Sequence, residues 1–192
     1  MDFKDYDCIL IGIGEEFDQN EKALAAYNKL AKMLDKKNYF IVSLCLDDVI
    51  FESDLDKEKI VAPLGGKRKK QCPDACEGKL YDVIETVCPI CKKELVYNNY
   101  LADNYIEDDY IPMWEKHKKW VSLTLNKKLL ALELGVSFKF PQIVRWPFEK
   151  IVSLNNKAEI IRVNETLPQL SEEVSGKGTS IKENSVEWVV GI

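Results

Sequence analysis

Four cysteines arranged as two close pairs place the strongest constraint on how this chain can fold. Cys72 and Cys76 are separated by three residues, Cys88 and Cys91 by two, and eleven residues lie between the pairs. Each pair brings two thiolates to one side of a tight turn, and two facing turns complete the tetrahedral sulfur shell that zinc prefers. Disulfides or unrelated buried thiols are the alternative interpretation. Because four thiolates leave no coordination position open to water or substrate, the predicted Zn²⁺ is structural.

Length and charge exclude several classes of protein. The chain has 192 residues and a net charge of −5, which suits one domain with a small insert and argues against a nucleic-acid binder. The basic run at residues 67–70 is interpreted as a solvated face. Since no apolar run approaches the ~20 residues that cross a bilayer, and the charged N-terminus is unlike a signal peptide, we expect a cytoplasmic protein without a membrane segment.

The first part of the chain has the pattern of a strand, a glycine turn, a helix and a second strand. Residues 7–13 form an apolar run ending in Gly12-Ile13-Gly14, residues 20–36 carry apolar side chains at three- and four-residue spacing, and residues 39–46 form another apolar run. This order predicts a βαβ unit with two neighbouring parallel strands.

The pattern returns after the cysteines. Residues 129–136 and 158–163 are apolar runs that predict buried strands, a helical stretch begins at Pro141, and Ser185 is the predicted N-cap of a last helical turn. Together these elements predict a Rossmann-like open parallel sheet with helices on both faces, an α/β fold. Residues 1–59 and 101–192 are assigned to this domain, and residues 60–100 to an inserted zinc-binding module.

In an open parallel sheet, a small-molecule site lies at the carboxyl ends of the strands, near the point where strand order reverses. Several polar or glycine residues follow the predicted strands at that edge: Gly12, Gly14, Asp47, Gly135, Ser137, Asn164 and Glu165. A Gly-x-Gly turn after a strand serves nucleotide sites, but also α/β proteins that need glycine only for close packing. The residues alone leave both interpretations open.

The order of these motifs resembles the sirtuin family of NAD-dependent protein deacylases and ADP-ribosyltransferases. Residues 132–137 (Leu-Glu-Leu-Gly-Val-Ser) look like the family's Gly-Thr-Ser strand end, and residues 160–165 (Ile-Ile-Arg-Val-Asn-Glu) are similar to its Ile-Asn-x-Glu segment. The zinc pairs lie at the corresponding place in the chain. The resemblance implies an NAD-type nucleotide pocket lined by the glycines and polar residues at the strand ends.

Three departures from the family pattern concern cofactor binding and catalysis. The family's Gly-Ala-Gly-x-Ser turn is replaced by residues 12–17 (Gly-Ile-Gly-Glu-Glu-Phe), which puts carboxylates where a helix N-terminus would receive a pyrophosphate. Its Thr-Gln-Asn-x-Asp segment becomes residues 43–47 (Ser-Leu-Cys-Leu-Asp), so only the Asp remains. Leu64 stands near the position of the catalytic histidine, and a leucine side chain cannot move a proton.

Two hypotheses of different class follow. The first is a zinc-stabilised pseudo-enzyme, a binding or regulatory module that keeps the sirtuin architecture and holds a protein partner. The second is an active, divergent NAD-dependent deacylase or ADP-ribosyltransferase, in which Asp47 or Glu15 polarises the attacking group. An enzyme must bind NAD and release nicotinamide, whereas a binding module need do neither.

A few remaining residues have two interpretations each. The single histidine, His117, lies between two tryptophans and is interpreted as a packed or surface side chain, although it could face the pocket. Cys8 and Cys45 are interpreted as small buried side chains, with a reactive thiol at Cys45 as the alternative. The tyrosine-rich, acidic residues 97–110 form either an interaction surface or a packing strap.

Overall fold

The computed structural model describes residues 3–192 and confirms the predicted fold class. Six parallel strands form the main sheet in the order β3-β2-β1-β7-β8-β9. Their bounds are β1 Cys8–Ile13, β2 Tyr39–Ser43, β3 Ile60–Val61, β7 Leu129–Leu134, β8 Ala158–Val163 and β9 Gly178–Ile181. The strand order reverses between β1 and β7, so the switch point lies at these two central strands.

Helices cover both faces of this sheet. Within residues 3–192 the α-helices are α1 Ala23–Met33, α2 Ile111–Ser122, α3 Arg145–Leu154 and α4 Ser185–Gly191. Helices α1 and α4 pack on one face of β1 and β7, and α2 and α3 pack on the other. Both central strands are buried along their whole length, as their continuous apolar sequence predicts for a sheet covered on two sides.

Several predicted limits differ from the structure. The first helix begins at Ala23 rather than residue 20, β2 ends at Ser43 rather than residue 46, and the stretch after Pro141 becomes helical only at Arg145. The predicted cap Ser185 is wrong, because the side chain of Asn184 accepts the N–H groups that cap α4. Asparagine and serine are equally good N-caps, so adjacent residues of these types leave the cap undecided in the sequence.

The cysteine segment, called the cysteine module below, forms a second, antiparallel sheet. Its strands are β4 Gly65–Gln71, β5 Leu80–Asp82 and β6 Val96–Asn99, in the order β5-β4-β6. Asp48, which follows β2 and is buried, joins the two sheets, because its carboxylate accepts the N–H of Arg68 at 2.9 Å and that of Lys67.

None of the helices within residues 3–192 has the length and apolar character needed to cross a bilayer.

A buried ion pair lies inside the main sheet. Glu133 of β7 and Arg162 of β8 face each other, with Oε2 to Nε at 2.7 Å and Oε1 to an Nη at 3.1 Å. Both residues are almost fully shielded from solvent, and Arg162 also contacts Glu149 of α3 at 2.8 Å. The pair therefore links two strands and a helix through charged groups in the core.

His117 is packed inside the protein. It lies on α2 against the rings of Phe40 and Trp114, with centroids 5.3 Å and 5.0 Å away, and is 7% exposed. Neither ring nitrogen has a hydrogen-bond partner within residues 3–192. Burial without a partner disfavours the imidazolium and lowers the pKa of His117 to about 4.

This histidine should make the protein less stable in mild acid. Because the folded-state pKa lies below the unfolded value of about 6.5, its contribution is complete above that pH and is lost as pH falls towards 4. The expected loss at pH 4 is about 3 kcal/mol. Urea unfolding of wild type and His117→Phe at several pH values measures this, since the carboxylates titrate alike in both. Parallel curves of stability against pH for the two proteins would contradict a lowered pKa at His117.

Candidate functional site

The four cysteines of the two pairs lie close enough to share one metal ion. Their Sγ atoms are all within 4.8 Å of one another, with Cys72 to Cys76 at 3.6 Å and Cys72 to Cys91 at 3.4 Å. A tetrahedral site with zinc–sulfur bonds of about 2.3 Å requires sulfur–sulfur separations of roughly 3.8 Å. The residues present therefore fit a zinc ion, and no disulfide joins cysteines within residues 3–192.

Local backbone geometry explains why these pairs converge. Ala75, Glu77, Gly78 and Lys92, which lie within or directly after the two pairs, have positive φ angles, so each pair sits in a sharply bent turn. In the second turn, the N–H of Lys92 donates to the carbonyl of Cys88. The N–H groups of Cys91 and Ile90 point at the Cys88 sulfur and hold the pKa of that thiol below its usual value. The second turn thus favours the thiolate of Cys88, the form that binds metal, whereas a hydrogen bond with Cys72 raises the pKa of the Cys76 thiol.

The carboxyl edge of the main sheet is where the resemblance to sirtuins implies a nucleotide. The glycines there are required by close contacts. A Cβ on Gly14 would meet the carbonyl oxygen of Gly135 at 2.3 Å and the Cα of Val136 at 2.3 Å. Gly135 has φ +67°, and a Cβ there would meet Glu16 at 2.5 Å. These two glycines let the ends of β1 and β7 touch, while Gly12 is buried against Val144 and Phe148 of the α3 side.

Two carboxylates in the turn after β1 bind the ends of other strands. Glu15 accepts the N–H of Ser137 at 3.0 Å and its hydroxyl at 2.8 Å, just after β7. Glu16 accepts the N–H of Glu165 at 2.8 Å, after β8, and the N–H of Ser185 at 2.7 Å, at the start of α4. Each side chain therefore uses both of its oxygens, Glu15 on the segment after β7 and Glu16 on the segment after β8 and the start of α4.

A third carboxylate of the same turn binds the end of β2. Asp18 accepts the N–H groups of Leu46 and Asp47 at 3.1 Å and 3.0 Å. Asp47 in turn accepts the N–H of Gln19 at 2.7 Å and that of Val49 at 3.1 Å. Burial and the neighbouring Asp47 raise the pKa of Asp18 above its usual value. Asp18 was not among the predicted site residues, although the sequence places it close to Glu15 and Glu16.

The predicted placement of these carboxylates at a helix N-terminus is wrong. Helix α1 begins nine residues after Gly14, and residues 14–22 form a series of turns instead. The carboxylates extend across the sheet edge to β2, β7 and β8 because backbone N–H groups there need acceptors. Asn164, the other predicted residue at β8, uses its amide on the carbonyl of Val136 at 3.1 Å and accepts the N–H of Leu167 at 2.7 Å.

An aromatic cleft opens beside this edge, between the main sheet and the cysteine module. It is a cavity of about 300 Å³ lined by the segments that follow β3, β6 and β7 and by Trp114 of α2. Its lining includes Leu64, Tyr100, Tyr105, Tyr110 and Phe140. Three tyrosines of the predicted acidic loop therefore come together here, whereas Tyr97 lines a different cavity. Lys139 donates to the Tyr100 hydroxyl at 2.6 Å at the rim.

Cys45 lies beneath the same edge and is buried. Its thiol contacts the carbonyl of Gly14 at 3.3 Å and the hydroxyl of Tyr27 at 3.8 Å. Burial raises the pKa of the Cys45 thiol well above its usual value, so it is held as the unreactive thiol. Cys8, in β1, is buried as well.

Comparison with known proteins gives one distant relative to consider. No model of a known protein family matches the chain. It is similar to a protein named Protein ADP-ribosyltransferase from Staphylococcus aureus (strain Mu50 / ATCC 700699), with 19% identity over 180 aligned positions that cover 83% of this chain. The chain spans 57% of that relative's length. The similarity indicates a distant relationship to an ADP-ribosyltransferase.

Proposed function

We propose that this protein is a zinc-stabilised binding or regulatory module that keeps the frame of an NAD-dependent ADP-ribosyltransferase and has lost its cofactor site. The observation that carries the proposal is the hydrogen bonding of Glu15 and Glu16 at the carboxyl edge of the sheet. In nucleotide-binding sheets, backbone N–H groups at this edge receive phosphate oxygens. Here the protein's own carboxylates use the N–H groups of Ser137, Glu165 and Ser185.

Electrostatics strengthens this argument. A pyrophosphate at the switch point would approach three carboxylates, Glu15, Glu16 and Asp18, and displacing them would break several charge-assisted hydrogen bonds. Such bonds are worth about 1.5–3 kcal/mol each, and the displaced carboxylates would still repel the phosphates. We therefore expect NAD and related nucleotides to bind weakly or not at all.

The groups that would activate a bound NAD are also replaced. Residues 43–47 offer no side-chain amide, and Leu64 lies in the aromatic cleft at the position that the resemblance gives to a general base. His117, the single histidine of the sequence, is buried on α2. The cleft itself suits a protein partner, since tyrosine and tryptophan rings supply contact area at little entropic cost.

An active transferase is the second candidate function, favoured by the similarity to Protein ADP-ribosyltransferase. In that case Asp47 is the candidate catalytic residue, as the acid retained from the family's strand end. However, both of its carboxylate oxygens already accept backbone N–H groups, from Gln19 and Val49. This bonding favours a structural role for Asp47.

Nicotinamide release from NAD distinguishes the two functions. We expect the zinc-loaded protein to release no nicotinamide above a protein-free blank, because the edge is filled and no base is present. Asp47→Asn, which keeps one carbonyl acceptor, is the matched variant and should behave identically. Release by the wild type that Asp47→Asn abolishes would establish the enzyme and overturn the proposal.

A further inference from the structure

A second surface lies at the opposite edge of the main sheet, where the strands begin. Helices α2 and α3 end side by side there, joined by Asn155, whose amide donates to the carbonyls of Thr124 and Lys127 at 3.2 Å and 3.0 Å. Between the helix ends is a cavity of about 300 Å³ lined mainly by Val121, Leu125, Ile151 and Leu154. Because the side-chain amide of Asn155 in its wall is already hydrogen-bonded, the cavity presents a mainly apolar surface to a ligand.

Exposed leucines line this cavity or lie next to its lining in the chain. Leu125 and Leu154, which line it, are 61% and 64% exposed, and Leu123, two residues before Leu125, is 62% exposed. Single exposed leucines are ordinary, but exposed leucines at an apolar hollow leave apolar area in water, at a cost of about 25 cal/mol per Å². We call Val121, Leu123, Leu125, Ile151 and Leu154 the basal patch.

The surroundings of the basal patch are basic, although the protein as a whole carries a charge of −5. Five exposed lysines lie on α2 and α3 or in the segments that follow them, and none forms an ion pair with any residue in the range 3–192: Lys119, Lys127, Lys128, Lys150 and Lys157. Three acids lie beside two of these lysines: Asp7 accepts the N–H of Lys128, and Asp5 and Glu159 line the same hollow as Lys128 and Lys157. Five lysines against three acids leave a positive balance of charge.

We propose that the basal patch binds an acidic amphipathic helix of a partner protein. One apolar side chain of that helix enters the cavity between Leu125 and Leu154, its neighbours cover Leu123, and its acidic side chains contact the lysines. A cavity accommodates one inserted side chain of a partner, whereas binding to a bilayer depends on side chains that protrude from the protein. The cavity therefore favours a helix over a membrane. A symmetric contact between two copies of this chain would bring like-charged lysines together. This surface is separate from the carboxyl edge and does not depend on the function proposed there.

The test is selection of peptides from a displayed library of amphipathic helices whose polar positions are randomised. Bound peptides should be enriched in Asp and Glu at those positions and should carry Leu, Ile or Phe on one face. Leu125→Ser/Leu154→Ser and Lys127→Glu/Lys128→Glu should each weaken binding of a selected peptide at least tenfold. Raising salt from about 0.05 M to about 0.5 M should also weaken it, because exposed charges are screened.

The matched control is Ile84→Ser with Lys32→Glu, which alters an 85%-exposed apolar residue of the cysteine module and an exposed lysine of α1. This variant should bind like the wild type. Peptides without acidic bias, or equal binding to the Leu125→Ser/Leu154→Ser variant, would overturn the proposal. So would binding to phosphatidylserine vesicles without any peptide selected, or concentration-dependent dimers in sedimentation that the serine variant loses.

Discussion

Cys88→Ser should remove zinc from the protein and unfold the cysteine module while the parallel sheet stays folded. The hydrophobic cluster of this module contains four buried residues, Cys72, Tyr81, Cys88 and Leu95, and two of them are proposed metal ligands. Without the metal, so small a core cannot offset the conformational entropy of the three short strands. A loss of ~5 kcal/mol corresponds to a fall in Tm of roughly 10–20 °C for a chain of this size.

Zinc content and hydrogen exchange measure this outcome. The wild type should hold one zinc ion per chain, and Cys88→Ser should hold none and exchange rapidly across residues 65–99. Cys8→Ala, which alters a buried cysteine outside the cluster, is the control and should keep the zinc. The structural role would be refuted if a chelator stripped the metal without lowering Tm.

Glu133→Leu should destabilise the protein by about 3 kcal/mol or more. This substitution leaves the Arg162 guanidinium buried with only Glu149 as a charged partner. Breaking a buried ion pair by removing one partner typically costs about 3–5 kcal/mol, because the other charge remains in a poorly solvated place. Burial raises the pKa of Glu133 even though Arg162 opposes the shift, so the carboxylate itself is costly to bury.

The double variant Glu133→Leu/Arg162→Met separates the charge from the packing. Since replacement of a whole buried pair by apolar residues is often neutral or stabilising, the double variant should be more stable than Glu133→Leu alone. Urea unfolding of the wild type, both single variants and the double variant gives the coupling energy. Additive losses in the double variant would show that the pair contributes no coupling.

The sequence predicts the sheet and the convergence of the four cysteines well because both depend on local patterns. Continuous apolar runs such as residues 129–134 are typical of parallel strands covered on two sides, and the cysteine spacing sets the geometry of the turns. The basal patch, by contrast, could not be predicted from the sequence. Leu125 and Leu154 are far apart in sequence, and only the packing of α2 beside α3 brings them to one cavity.

The carboxyl edge shows why the candidate site could be predicted only in part. The order of strands in the sequence predicts that Gly14, Gly135 and Ser137 lie near the switch point. It does not predict the hydrogen bonds that Glu15 makes there. The start of α4 shows the same limit. Asn184 caps the helix through the N–H groups of Val186 and Glu187, and the N–H of Ser185 is bound by the distant Glu16. Contacts between residues 120 or more apart have no signature in a local pattern.

Calorimetric titration of ADP-ribose into the zinc-loaded wild type and into Glu15→Ala/Glu16→Ala tests whether the two glutamates fill the nucleotide position. Alanine keeps the backbone of the turn and frees the N–H groups of Ser137, Glu165 and Ser185. We expect no heat and no rise in Tm for the wild type at millimolar ligand, and measurable binding in the variant. Micromolar binding by the wild type that the variant loses would contradict this expectation, because the two glutamates would then be part of a working nucleotide site.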